Sequence, residues 1–337
     1  MQKKSDIKKG ALVISLDFEM TWGAIEAFFP EGYGRTNIAQ VPRVIEGLVR
    51  TFKKYGVHAT FGTVGLMFRK NVQEITEDMP ELTPGYSDKR CQPYGEYLMT
   101  ITEQTKNLYF CPDVIKNLSS LDGIEVGSHT YCHFYCDEPG QTVEEFEADT
   151  KMLLKMFDKL DIPRPKSIIF PRNQVSEPYL KVCTKYGINI YRGLAPRFFG
   201  TPKSKWDRLK KRICRILDNY INIGGMSTIA YDTLPVTGEC VNIPASRFVR
   251  PYNNKLAFLE GLQIRRMKKE MIHAAQNGEM YHLYWHPHNF GANMDKNFAM
   301  LEKVLSCYKE CQMTYGMQSF TMEEMTEYLK SKKYVYS

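Results

Sequence analysis

Short apolar runs alternate with amphipathic stretches along most of this 337-residue chain. The runs Ala11–Leu16, His58–Val64, Ile124–Gly127, Ser167–Phe170, Ile188–Tyr191 and Met280–Trp285, with a weaker one at Val241–Ile243, have the length of strands. Between them, apolar residues recur at helical spacing: Val44, Leu48, Val49 and Phe52; Phe146, Met152, Leu153, Met156 and Leu160; Leu301, Val304, Leu305 and Tyr308. Repeated strand–helix alternation predicts a parallel sheet with helices outside it. About seven strands in one series favour a barrel, and an open doubly wound sheet fits the same pattern. The first run leads into Ser15-Leu16-Asp17-Phe18-Glu19, acidic rather than glycine-rich, which argues against dinucleotide binding. With no repeat and no low-complexity linker, a single domain over 1–337 is expected. It carries two insertions, a Pro- and Gly-containing one near 80–110 and a basic one near 196–226.

At 43% hydrophobic and 25% charged, the chain is too apolar for disorder and too charged for a membrane bundle. The N-terminal MQKKSDIKKGALVISLDFEM superficially resembles a signal peptide. Its apolar run is too short for that role, and acidic Asp17 and Glu19 follow without a cleavage site. Nine cysteines at irregular spacing show no disulfide framework, so a cytoplasmic protein is expected. A net charge of +7 suits an anionic substrate or surface without demanding nucleic acid. Five of the 7 histidines fall in two clusters, His129/His133 and His282/His286/His288, the first sign of a metal or hydrolytic site.

Strand alternation puts Asp17 and Glu19 on one face. Two carboxylates at the end of a barrel strand serve an acid–base or metal site, unless the strand end simply meets solvent. In Gly127-Ser128-His129-Thr130-Tyr131-Cys132-His133 the histidines stand at i and i+4, so a helical turn would put them on one side. Two imidazoles and a carboxylate are an ordinary ligand set for a catalytic divalent ion; a structural site using Cys132 and Cys136 is the competing reading. Arg172, in Phe170-Pro171-Arg172-Asn173, could orient a carboxylate, or be a surface arginine in a turn. His286, after the last run, could protonate a leaving group; a core histidine is the plainer reading. All four signals lie at the C-terminal ends of candidate strands, where the loops of one barrel converge.

In that order these motifs resemble the polysaccharide deacetylases of the NodB-homology type, carbohydrate esterase family 4, over roughly residues 10–330. Asp17-Phe18-Glu19 stands where that family usually has two adjacent aspartates, and His129-Thr130-Tyr131-Cys132-His133 matches the family's two-histidine motif. Pro171-Arg172-Asn173 departs from the usual Arg-x-Pro order; His286 is the better match to the last histidine and His288 the spare; Asp232 is a weak match to a fourth motif. The resemblance implies a distorted (β/α)7 barrel. It also implies a divalent metal, zinc foremost, on Glu19, His129 and His133, with Asp17 as base, His286 as acid and Arg172 orienting Asp17. The implied activity is removal of an N-acetyl group from a sugar or glycan in surface polysaccharide synthesis, the substrate being free, nucleotide-linked or lipid-linked. A hydrolase of a cyclic amide or ureide, or an inactive carbohydrate-binding relative, are the alternatives.

In the second insertion, Trp206, Leu209, Ile213 and Leu217 recur at helical spacing. Seven basic residues against one acid lie between 203 and 215. This segment suits peripheral contact with the inner face of an anionic membrane, and equally a solvated face covering the barrel.

Overall fold

Each of the seven apolar runs forms a strand in the computed structural model, which describes residues 8–26, 30–194, 217–237 and 239–334. The strands are β1 (Ala11–Phe18), β2 (Ala59–Thr63), β3 (Ile124–Ser128), β4 (Ser167–Ile169), β5 (Ile190–Arg192), β6 (Val236–Thr237), β7 (Cys240–Asn242), β8 (Arg247–Phe248), β9 (Met280–Trp285) and β10 (Gln318–Phe320). The helices are α1 (Val41–Tyr55), α2 (Val72–Thr76), α3 (Glu96–Met99), α4 (Pro112–Ser119), α5 (Val143–Leu160), α6 (Glu177–Lys185), α7 (Glu260–Asn277), α8 (Met294–Tyr315) and α9 (Met322–Ser331).

The sheet order is β6-β7-β5-β4-β3-β2-β1-β9-β8, with β10 beside the start of β1. Among the described residues the β6–β7 hairpin is the one antiparallel pair of named strands, and an isolated antiparallel bridge joins Ile229 to Met280. β7 and β8 are successive parts of one bent run. β7 pairs with β5 and β8 with β9; between them Ala245 bridges to Leu194, and Ser246 N–H donates to His282 O at 2.8 Å. That run joins the two flanks of the sheet. The result is a distorted (β/α)7 barrel made of β1 to β5, the β7–β8 run and β9.

Side chains alternate across this wall as the pleat requires. Leu12, Ile14 and Leu16 face outward into the layer of helices, with Val44, Leu48, Phe157 and Met271. Ala11 and Val13 point into the barrel, with Ile190, Val241 and Met280. Continuing each row in steps of two reaches Ser15 and then Asp17 on β1, Arg192 on β5 and His282 on β9, all buried. Along β1, β5 and β9 the inward rows are therefore apolar at the base and polar toward the C-terminal ends, whereas on β2, β3 and β4 buried Thr60, Glu125 and Ser167 hydrogen-bond to one another.

The 80–110 segment is a succession of short turns around α3. It packs against the turn after β1: Thr21 Oγ1 donates to Leu108 O at 2.8 Å and Trp22 Nε1 to Tyr109 O at 2.9 Å. The basic segment 203–217 lies outside the described residues except for Leu217. The eight cysteines among the described residues are unbridged. No helix among them is long and apolar enough to cross a membrane.

Candidate metal centre and active site

Glu19 is the first residue beyond β1. The turn Met20–Ala24 bends it back over the strand end, and a Cβ on Gly23 would lie 2.0 Å from the Glu19 carboxyl carbon. Only glycine leaves room there for this carboxylate.

His129 and His133 lie in the loop after β3. Their spacing does not act through a helical turn, contrary to the expectation from i and i+4. Thr130 and His133 take left-handed φ values of 64° and 60°. The loop is stitched instead by Asp149 of α5, whose carboxylate accepts from Tyr131 N at 2.7 Å and Cys132 N at 2.9 Å. Thr130 Oγ1 accepts from Phe134 N at 2.6 Å. Burial raises the Asp149 pKa to about 6 despite those bonds. Asp149→Ala should strand two buried N–H groups at about 1–3 kcal/mol each and loosen both histidines. We expect lower unfolding free energy together with weaker metal binding, read by denaturant titration and metal competition. Unchanged metal affinity would show that the loop holds its shape without Asp149.

Glu19 Oε2 lies 3.2 Å from Nε2 of both His129 and His133. His129 Nδ1 is 2.6 Å from the Ile169 carbonyl. A carbonyl only accepts, so Nδ1 carries the hydrogen and Nε2 of the neutral ring turns a lone pair toward the carboxylate. Two acceptors at that distance repel unless a proton or a cation lies between them. Ligating atoms of all three residues fall within 4.8 Å of one another. Four-coordinate zinc with bonds of about 2.0–2.2 Å sets neighbouring ligand atoms roughly 3.3–3.6 Å apart. The donor set and its spacing fit a divalent ion. Cys132 and Cys136 do not join it; burial pushes both thiols well above their ordinary pKa.

Asp17 faces the same space from β1. Arg192, wholly buried on β5, grips it with both guanidinium nitrogens, Nη2 to Oδ2 at 2.8 Å and Nη1 to Oδ1. Arg192 Nη1 also donates to Ser15 Oγ at 3.1 Å, and Ser15 Oγ is 2.8 Å from His282 Nε2. His282 Nδ1 is 3.1 Å from the Ile243 carbonyl, which leaves Nε2 as the acceptor for the serine hydroxyl. Burial works to raise the Asp17 pKa, but Arg192, with His286 behind it, holds the carboxyl below its ordinary value. Burial likewise opposes ionisation of Glu19, yet His286 first, and His133 beside it, hold it well below the usual range.

His286 follows β9, with Nε2 3.6 Å from Asp17 Oδ2 and 3.5 Å from Glu19 Oε1. Its side chain is 27% exposed, so it closes the site on the solvent side. His288 stacks on its ring, centroids 5.0 Å apart, and burial lowers the His288 pKa to about 3.

The orienting role expected for Arg172 is not where the structure puts that residue. Arg172 sits in a left-handed turn at the rim (φ 54°). It pairs with Glu26 and, at 2.7 Å, with Glu138, over the ring of Tyr135. It does not contact Asp17; Arg192 does. The signal was present in the sequence: Arg192 alternates with Ile190 along a strand, which aims both into the barrel. Asp232 is also apart from the site, exposed and 3.8 Å from Lys8.

The chain belongs to the polysaccharide deacetylase family, whose sequence profile matches residues 25–191. That match spans His129, His133 and Arg172 and stops one residue before Arg192. Among solved structures, a Mycobacterium smegmatis protein assigned to the polysaccharide deacetylases has a TM-score of 0.60 at 13% identity, covering 98% of this chain and 93% of that one. The 4-alpha-glucanotransferase of Thermococcus litoralis has a TM-score of 0.50 at 9% identity, over 95% of this chain and 40% of its own. The chitin deacetylase of Colletotrichum lindemuthianum has 0.45 at 13%, over 94% and 87%. At these identities the likeness concerns the fold. No curated protein sequence matches the chain.

Proposed function

We propose that this protein is a metal-dependent N-deacetylase acting on an N-acetylated sugar or glycan. The observation that carries the reading is the convergence of Glu19 Oε2 with two histidine Nε2 atoms at 3.2 Å, one of them turned as an acceptor, beside a carboxylate and a third histidine. Glu19, His129 and His133 would hold the ion, and a histidine–histidine–carboxylate set suits zinc. A divalent ion there supplies Lewis acidity toward an acetamide carbonyl and acidifies a water.

The remaining chemistry belongs to the chain's own residues. Asp17, kept ionised by Arg192, takes a proton from the attacking water. His286, at the solvent side, gives a proton to the departing amine nitrogen as the C–N bond breaks. Acetate and an amino sugar are the products. Buried His288, whose lowered pKa keeps it neutral, backs the His286 ring.

The reading is tested by acetate release from a panel of N-acetylated sugars, nucleotide sugars and lipid-linked glycans, with and without chelator. His133→Ala should lose most bound metal as well as activity, because two ligands hold an ion poorly. Full metal content in that variant, or chelator-resistant turnover, would remove the metal assignment. His286→Ala should lower kcat by about 10²-fold or more, and His288→Ala by less. The reverse order at equal stability would transfer the acid role to His288.

A further inference from the structure

On α7 and the turn Asn254–Leu259 before it, positions 258, 262, 265, 269, 272 and 276 follow one another at steps of three and four. They hold Phe258, Leu262, Arg265, Lys269, Ile272 and Gln276, a single stripe down the outer face of the helix. All six side chains are exposed, Phe258 at 78%. The stripe contains no acid. Neither Arg265 nor Lys269, nor the adjoining Lys268, has an acidic partner among the described residues. These three line an open groove of about 590 Å³, with Ile264, Ile272 and Met226.

Beside the groove, and reaching it at Met226, lies the segment 217–226. It is tied to α7 by Arg266, which donates to Gly225 O and lies 3.7 Å from Asp218, and by Ser227 N, 3.1 Å from Glu270 Oε1. That segment is also apolar at its surface: Leu217, Ile221 and Ile223 are exposed, Ile221 at 58%. The sequence entering it from the N-terminal side carries the seven basic residues of 203–215. Exposed aromatic and aliphatic side chains thus alternate with cations that have no acidic partner along this face of α7, and exposed aliphatic side chains continue onto the segment tied to it.

We propose that this face docks on an anionic lipid bilayer, with the apolar side chains entering the headgroup boundary and Arg265, Lys268 and Lys269 meeting lipid phosphates. The charge selects this occupant. A second copy docking face to face would bring like charges together. A nucleic acid offers phosphates, yet its interfaces are polar and leave Phe258, Leu262, Ile221 and Ile272 without a role. The proposal does not depend on the deacetylase chemistry, and its test has no catalytic readout.

The test is sedimentation of the full chain with vesicles of phosphatidylcholine alone or mixed equally with phosphatidylglycerol, at low and physiological salt. Binding should require phosphatidylglycerol and weaken with salt. The double variant Arg265→Glu, Lys269→Glu should bind at least about 25-fold more weakly, at roughly fivefold per basic residue. Phe258→Ser with Leu262→Ser should also weaken it, with thermal unfolding unchanged because these positions are exposed. Both variants leave 203–215 intact, so wild-type binding by both would overturn the α7 surface. So would equal binding to phosphatidylcholine, or no vesicle binding together with RNA retention or a dimer that the variants abolish.

Discussion

Asp17→Asn should lower turnover by about 10²–10⁴-fold, the range of a lost general base, with metal content unchanged. Asn cannot accept the proton of the attacking water. It is not among the three residues proposed as ligands, so occupancy is expected to survive. The substitution also leaves Arg192 with part of its partner gone, so turnover is referred to folded, metal-loaded protein by metal analysis and thermal unfolding. The pH profile adds a second reading. In the native chain Asp17 is held below its ordinary pKa, so its ionised form, and the stability it lends, is present above the unfolded-chain value and lost as pH falls through the folded one. The acid limb of kcat/KM should therefore lie low, and Asp17→Asn should flatten it. Near-normal turnover in the loaded variant would mean that another group takes the proton.

The strands were legible because each is an apolar run bounded by polar residues, and alternation alone aims Ser15 and Asp17 inward. β6, β8 and β10 were not anticipated: Val236-Thr237, Arg247-Phe248 and Gln318-Ser319-Phe320 mix polar with apolar residues, so no apolar run marks them. Closure was hidden for a related reason. It depends on one bent run, 240–248, whose halves pair with strands far apart in the chain.

Within the site, the residue types of Glu19, His129, His133 and His286 could be read from the sequence, but not what shapes them. The i, i+4 histidines suggested a helix, and nothing local contradicted it. The left-handed residues that replace the helix are held by Asp149, on another element, and Glu19 is accommodated by a glycine four residues on. The first is a tertiary effect that overrides local spacing. Arg172 was favoured because it follows β4 in a motif-like setting. Which arginine meets Asp17 is decided by barrel register, where an arginine two residues beyond Ile190 points inward and one in a rim turn does not.

That difference makes the two arginines separable. Arg192→Met should leave Asp17 buried without a counter-charge, a loss of about 3–5 kcal/mol if the carboxylate stays ionised. Protonation is the cheaper response, so the Asp17 pKa should rise above its ordinary value. The linkage then reverses sign: the folded state gains relative stability below the unfolded pKa and loses it as pH rises through the new folded value. For activity, the acid limb should move to higher pH and turnover at neutral pH should fall by about 10²-fold or more, with partial recovery in alkaline buffer. Arg192→Lys restores the charge without the two-pronged grip, so the limb should return toward its native position while kcat stays reduced. Arg172→Met breaks pairs with Glu26 and Glu138 at the half-exposed rim, worth about 0–1 kcal/mol, and should leave the limb in place. A limb that shifts in Arg172→Met and not in Arg192→Met would assign Asp17 to the wrong arginine, and with it the orientation of the base.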